Sequence, residues 1–348
     1  MDIAWYSILA FMLTMYVILD GFDLGAGIIH LRAAKDDAER RTILNAIGPV
    51  WDGNEVWLIA AGGILYLAFP RVYASAFSGF YLPLMIVLWL LMLRGLGIEF
   101  RHRIHHPLWR SFWDAAFALG STLLALFFGA ALGNVVRGVP LRADGYFFEP
   151  LWTTGTVVPE AGIIDWFTGL LALVSLCTLT GHGAHYIAMK TSGPVQERAR
   201  RIAARFWWGM FTTSVLSLVA VSTIRPGVWT NFVEHPWGLL FLLAGGAGLA
   251  GGYIFNRRGQ DARAFLSSSL FIGGMLAATA FGLYPDLLPA STDPSYSLTV
   301  SNSMAHEYSL GVGLVWWTIG IILALGYTVY VFRSHRGKVT APVEGEGY

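Results

Sequence analysis

The sequence predicts an all-α polytopic membrane protein: nine transmembrane helices, arranged as two pseudo-repeated four-helix bundles plus one peripheral helix. Three observations carry that reading. Only 13% of the 348 residues are charged, 55% are hydrophobic, and the mean hydropathy is +0.56. A soluble domain carries about 25% charged residues, so half that share points to lipid as the solvent. Nine apolar stretches come close to the ~17–25 residues that a spanning helix needs. Lys and Arg collect in alternate connections between those stretches, as they do where loops face the cytoplasm.

The first stretch, 4–31, follows Met1-Asp2-Ile3-Ala4-Trp5. That start lacks the basic leader of a cleaved signal peptide, so the stretch reads as a retained span. The second, 53–70, is short and opens on acids. The third and fourth, 76–99 and 113–136, are strongly apolar, and the fifth, 162–188, contains polar residues. The remaining four are 204–224, 236–255, 264–284 and 310–333. The longest connection, 137–161, is too short to bury a core of its own. The tail at 338–348 ends in Pro342-Val343-Glu344-Gly345-Glu346-Gly347-Tyr348 and reads as flexible. The chain is therefore expected to form one integral membrane domain, 1–348. Residues 1–136 make the first bundle, 162–284 the second, and 310–333 the additional helix.

Charge fixes the direction. Arg32, Lys35, Arg40 and Arg41 follow the first stretch, and Arg101, Arg103 and Arg110 follow the third. Basic clusters recur after the fifth and seventh (Lys190 to Arg205, Arg257 to Arg263) and after the ninth (Arg333, Arg336, Lys338). The other connections are poorer in Lys and Arg, and 285–309 has none. Strict alternation over nine spans puts the N-terminus outside and the C-terminus in the cytoplasm. Omitting the second stretch would put a basic loop on each side, so nine is the better count. Fourteen Trp and fourteen Tyr suit the aromatic belts at the two membrane surfaces. A net charge of +1 gives no reason to expect a nucleic-acid partner. One cysteine, Cys177, excludes a disulfide framework and a thiolate metal cluster.

The two halves echo each other weakly. Gly21-Phe22-Asp23-Leu24-Gly25 near the inner end of the first span corresponds to Gly181-His182-Gly183-Ala184-His185 near the inner end of the fifth. Each is followed by a basic loop and a segment ending near proline, Phe69-Pro70 or Arg225-Pro226. Such internal repetition is a common way to build polytopic proteins.

Charged residues inside apolar spans are the chemistry-bearing candidates. A charge at mid-helix costs at least about 2.5–3.5 kcal/mol, so such residues face a protein interior and mark ion or proton pathways. Asp20 and Asp23 are three apart and share one helical face; Asp52 and Glu55 repeat the spacing at the start of the second stretch. All four fall on the cytoplasmic side of the first hairpin, beside glycines that permit close helix approach. They are candidates for a proton path. Two structural roles compete with it: Asp52 can cap its helix, and Asp20 or Asp23 can pair with an arginine such as Arg94.

Other polar residues carry less. His182 and His185 share a face and His30 ends the first span, but haem ligation needs ligands on facing helices at matching depth. The sequence offers no clear second ligand, so no haem ligand and no metal ligand is expected here. These histidines are expected to be solvated near the inner surface, as are His102, His105 and His106 in their basic loop. The glycines of 245–252 are expected to serve helix packing and not phosphate binding, since no strand precedes them. Trp207-Trp208 and Trp316-Trp317 are expected to pack against lipid or a partner.

Several strings resemble subunit II of the cytochrome bd quinol oxidases. They are Asp20 to Gly27 (Asp-Gly-Phe-Asp-Leu-Gly-Ala-Gly), Gly48-Pro49-Val50-Trp51-Asp52-Gly53-Asn54-Glu55-Val56-Trp57-Leu58 and Phe77 to Pro83. Arg137-Gly138-Val139-Pro140, Lys190 to Pro194, Tyr284 to Pro289 and Ser297 to Val300 continue the match in order along nearly the whole chain. The resemblance implies a complex in a prokaryotic plasma membrane that oxidises quinol and reduces dioxygen to water. It builds a proton gradient without pumping, by taking protons from the cytoplasm. It implies a partner, subunit I, that holds two haems b and one haem d, so this chain contains no complete active site. Supporting assembly and haem insertion in subunit I, together with proton and oxygen access, is the implied role. By family position Asp23 and Asp52 become proton-path candidates, and Trp57 a residue near the oxygen route. A bound quinone, a small accessory subunit and lipid contacts stay open. From the residues alone, a proton-coupled secondary transporter and a purely structural scaffold remain the rival readings.

Overall fold

The first apolar stretch folds as α1 (Asp2–Ala33), a helix of 32 residues. At 1.5 Å per residue it runs about 48 Å, enough to cross a bilayer and project beyond it. Its surroundings come from a computed structural model that describes residues 1–157 and 161–339. After α1 the chain forms α2 (Asp37–Ile47), α3 (Trp51–Ala68), α4 (Pro70–Gly79), α5 (Tyr81–Phe100) and α6 (Pro107–Arg137). The second half contains α7 (Trp166–Lys190), α8 (Gly193–Ile224), the short α9 (Thr230–Glu234), α10 (Leu239–Arg257) and α11 (Asp261–Leu283). A two-stranded ribbon, β1 (Asp286–Leu288) with β2 (Leu298–Thr299), leads to α12 (Val300–Ser303) and α13 (Glu307–Ser334).

Among the described residues, eight helices are long and apolar enough to cross a membrane: α1, α5, α6, α7, α8, α10 with the turn before it, α11 and α13. The predicted second span, α3, is not among them. It has 18 residues, and Asp52, Asn54 and Glu55 occupy its first turns. Several helices overrun their predicted spans at the basic ends. α8 begins at Gly193 and not at 204, and α6 at Pro107 and not at 113. Backbone hydrogen bonding continues past the apolar stretch wherever nothing in the sequence stops it.

Three elements were not foreseen. The loop after α1 contains α2, whose N-cap Asp36 accepts the Glu39 amide proton at 2.9 Å and whose Ile43, Leu44, Ala46 and Ile47 are buried. Residues 76–79 belong to α4, not to the third span. α4 starts at Pro70, where a missing amide proton is harmless, and ends before Phe80. The connection after α11 pairs Asp286 with Thr299 and Leu288 with Leu298. Val139 is bonded to that segment at both its amide (to the Pro289 carbonyl, 2.9 Å) and its carbonyl (from the Ser291 amide, 2.8 Å).

α1 is the central helix, in contact with α3, α6, α7 and α11. In the first half α5 packs on α6; in the second, α7 packs on α8 and α11, and α10 on α8 and α11. α13 touches α3 along an otherwise exposed surface. The two glycine-bearing strings that echo each other meet at one crossing. A Cβ on Gly25 would stand 2.1 Å from the Leu179 carbonyl oxygen, and one on Gly183 would stand 2.4 Å from the Gly25 Cα. Only glycine allows α1 and α7 to touch backbone to backbone, the contact that replaces hydrophobic drive between helices in lipid. The glycines of α10 act alike: a Cβ on Gly248 would lie 2.4 Å from the Phe271 amide nitrogen. Of the tail at 338–348, only 338 and 339 are described. Lys338 Nζ donates to the Thr191 carbonyl and the Val339 amide to the Lys190 carbonyl, both at 2.7 Å. The rest of that predicted segment lies outside the described residues.

Candidate functional site

Asp20 and Asp23 are both fully buried, side by side on α1. From α5, the fully buried Arg94 reaches Asp20 with Nη2 to Oδ1 at 2.5 Å. Its other terminal nitrogen lies 3.3 Å from Glu55 Oε2 on α3, and its guanidinium carbon lies 5.8 Å from the centre of the Trp51 ring. Asn54, also on α3, donates from Nδ2 to Asp23 Oδ2 at 2.7 Å and lies 3.3 Å from the Leu19 carbonyl. Three acids thus surround one arginine. Asp20 and Glu55 share the cation, while Asp23 is held by a neutral amide.

The site leaves hydrogen-bonding capacity unused. Asp23 Oδ1, Trp51 Nε1 and Arg94 Nε are buried without a partner, and Tyr16 stands beside Asp20. A buried polar group without a partner costs about 1–3 kcal/mol. Several of them gather around one carboxylate pair.

The burial of α3 decides which of its residues join. Asn54, Trp57, Ala61, Ile64 and Ala68 form its buried face. Trp57 is 5% exposed and sits edge-on to Phe11 with ring centres 6.2 Å apart. Glu55 is half-buried at the margin, its side chain 24% exposed. Asp52 lies on the exposed face, away from the pair. Nor is it the cap: Val50 is the N-cap of α3, with no side-chain cap bond. Asp52 sits in the first turn, where a negative charge favours the helix dipole. The sequence spacing located Asp20, Asp23 and Glu55 and named Arg94 as a partner. It missed Asn54, Tyr16 and Trp51, although Asn54 and Trp51 flank Asp52 in the same string.

The histidines on α7 are buried, contrary to the expectation that they are solvated. His182 stacks on Phe265 at 4.9 Å, with Nε2 2.9 Å from the Ile18 carbonyl and Nδ1 2.7 Å from Ser268 Oγ. A carbonyl only accepts, so Nε2 carries the proton, while Ser268 Oγ, which also lies 2.8 Å from the Phe265 carbonyl, is shared between that carbonyl and Nδ1. Both ring nitrogens of His182 are engaged in hydrogen bonds. His185 is also buried, its Nδ1 without a partner. If the chain sits in the haem-bearing complex that the resemblance implies, the His182→Ala, His185→Ala double variant should lose stability while the haem spectrum per assembled complex is unchanged. A missing haem band with assembly intact would overturn this. His30 is buried too, at 2.6 Å from Asp114, which also takes Arg101 at 2.6 Å and Arg40 at 3.0 Å.

A second ionic cluster lies at the other end of α6. Arg137 contacts both Asp165 and Glu149, and donates to the Gly162 carbonyl at 3.0 Å and to Asn134 Oδ1 at 2.8 Å. Asp165 also caps α7, accepting from Phe167 and Thr168. Glu149 Oε2 is buried without a partner. Burial pushes the Glu149 carboxyl up to about 7 against the pull of Arg137, with Asp165 adding to the rise. Because the folded state holds this proton more tightly than the unfolded one, the stability it contributes is complete below the ordinary Glu range. It is lost as pH rises through about 7. The loss is at most about 3 kcal/mol. Protease cleavage in 138–165 should therefore quicken between pH 5 and 8, and Glu149→Gln should flatten that dependence. An unchanged pH profile in the variant would refute it.

The model of the cytochrome bd terminal oxidase subunit II family matches residues 1–335. A probable cytochrome oxidase subunit 2 of Haemophilus influenzae is 33% identical, over 97% of this chain and 94% of its own. The cytochrome bd-I ubiquinol oxidase subunit 2 of Escherichia coli K12 is 32% identical with the same coverage. The cytochrome bd ubiquinol oxidase subunit 2 of Bacillus subtilis is 30% identical over 97% of this chain and 98% of its own. In fold, the chain is similar to one in the structure of bd oxidase from Geobacillus thermodenitrificans, with a TM-score of 0.74 over 95% of this chain and 97% of the other at 17% identity.

Proposed function

Since the chain belongs to the cytochrome bd terminal oxidase subunit II family, we propose that it works as the non-haem subunit of a quinol oxidase and gives the oxygen-reducing site of its partner access to cytoplasmic protons. The complex oxidises quinol and reduces dioxygen to water, electrogenically and without pumping. Subunit I holds the haems b and d, and this chain supports its assembly and haem loading. Eight helices with the apolar length of spans support a multi-pass place in the bacterial plasma membrane, and the basic connections alternate once α3 is counted with them. We take α3 as the ninth span, shortened in hydropathy by its polar first turns. α1, α3, α5 and α6 then form one four-helix bundle (1–136) and α7, α8, α10 and α11 a related one (162–284), with α13 peripheral. With the N-terminus outside, the acids lie near the cytoplasmic surface.

The buried pair Asp20 and Asp23, with a neutral partner on Asp23, carries this reading. A carboxyl held by an amide can gain and lose a proton without breaking an ion pair. Asp23 is therefore the exchanging group, and Asp20, fixed by Arg94, tunes it. Glu55 stands at the margin of the site. The exposed Asp52 suits a collecting role at the aqueous end, and Trp57 stays a candidate for the oxygen route. The Arg94–Asp20 pair gives Asp20 a structural role as well. Purification tests the assignment. The chain should copurify with a haem-rich partner, and deleting it should leave that partner unstable or short of haem, since partner binding stabilises the folded state. A colourless chain active alone in proton-coupled uptake would point to a transporter instead. Full haem loading and activity of the partner alone would refute the assembly role.

A further inference from the structure

The buried acid pair has two ways out, and they differ in chemistry. One runs from Asp20 through Arg94 to the partly buried Glu55. A guanidinium does not release its proton in proteins, and its fixed positive charge repels an arriving hydronium. That exit is closed to protons. The other runs from Asp23 to Asn54. Asn54 also lines a cavity of about 20 Å³ between the start of α3 and the last turns of α13, walled by Pro49, Gly53, Tyr327, Thr328 and Val331. A space of about 10–15 Å³ holds one water.

We propose that this cavity is a water-binding port through which Asp23 exchanges protons with the aqueous phase at the basic end of α13, with Asn54 and Thr328 as its positioning residues. The proposal rests on the proton-access reading above and assigns α13 a part in it. Thr328 is suited to the role: its hydroxyl donates to the Ala324 carbonyl at 2.9 Å, which leaves its oxygen lone pairs free to accept from water. Asn54 stands between the cavity and the carboxylate, bonded to one oxygen of Asp23 while the other, Oδ1, is buried and unpartnered. When the amide swings away, a protonated water in the port reaches the carboxylate. The proton passes to oxygen, the water is left neutral, and the carboxylate becomes the acid. α13 is held in place at this end by Phe332, whose ring meets Phe22 at 6.2 Å, and by Lys190 Nζ on the His335 carbonyl at 2.5 Å. Gly53 keeps the port open, since a Cβ there would project to 3.6 Å from Tyr327 Cε1, into the cavity without a clash.

The test uses the intact oxidase complex, with oxygen consumption at saturating quinol and haem content measured together. Thr328→Val keeps the shape and removes the hydroxyl; Gly53→Ala puts a methyl group where the water would sit. Combined, they should slow turnover roughly three- to tenfold at unchanged haem content, while Thr328→Ser runs at the parent rate. Gly320→Ala, on an open face of α13, should change nothing. Equal rates for Thr328→Val and Thr328→Ser, or full turnover in the Gly53→Ala, Thr328→Val variant while Asp23→Asn is slow, would overturn the port and leave the proton-access reading standing. Full turnover in Asp23→Asn would remove both.

Discussion

Asp23→Asn is expected to slow steady-state oxygen consumption by the intact complex roughly tenfold or more, the scale of a lost positioned proton-transfer group. Reduction of one dioxygen to two waters consumes four protons, and a buried reaction site must draw them through a conducting chain. Asparagine matches aspartate in shape but cannot ionise. The Asn54 amide can still donate to the new side-chain oxygen where it now donates to Asp23 Oδ2 at 2.7 Å, so packing should survive. Haem content and carbon monoxide binding should be unchanged. Asp52→Asn, at the exposed start of α3, tests the collecting end of the same path and should slow turnover in the same way. A fall in activity that merely tracks lost haem would make the acids structural. Full activity in the double variant would make this subunit a scaffold.

Arg94→Leu is expected to be the most damaging substitution in the first half of the chain. Arg94 and Asp20 are both fully buried, in contact at 2.5 Å. Removing one member of a buried ion pair costs about 3–5 kcal/mol because the other is left charged and unpaired. Removing both is far milder, since apolar side chains of similar volume suit the interior. The yield of haem-loaded complex should collapse in Arg94→Leu and recover largely in Asp20→Leu, Arg94→Leu. The thermal midpoints of the two single variants and the double variant close a cycle that isolates the pair. Equal loss in the single and double variants would show that Arg94 acts through packing against Trp51 and not through Asp20.

Much of this molecule was legible before folding was considered. Apolar length located the long helices, because hydrocarbon leaves a backbone little choice but to satisfy its own hydrogen bonds. The i, i+3 spacing put Asp20 beside Asp23, and glycine clustering marked the packing faces of α10. Smaller elements were not legible. α2 is short and amphipathic inside a charged loop, and the β1–β2 ribbon exists only through its cross-strand partner. The expected solvation of His182 and His185 failed for a related reason: being near the end of a span says nothing about which neighbours cover it.

The acids divide along the same line. Their presence in apolar spans, their spacing and their membership of the first two apolar segments follow from the sequence alone, because they depend only on helical period and on the cost of charge in lipid. Tertiary structure alone decided that Asp20 meets Arg94, that Asp23 meets Asn54, and that Asp52 faces away while Trp57 faces in. A helix can rotate about its axis without changing its periodicity. The rotation of α3 is set where its small and apolar face, Trp57, Ala61, Ile64 and Ala68, meets α1, and that contact is a property of two segments together, which neither carries by itself.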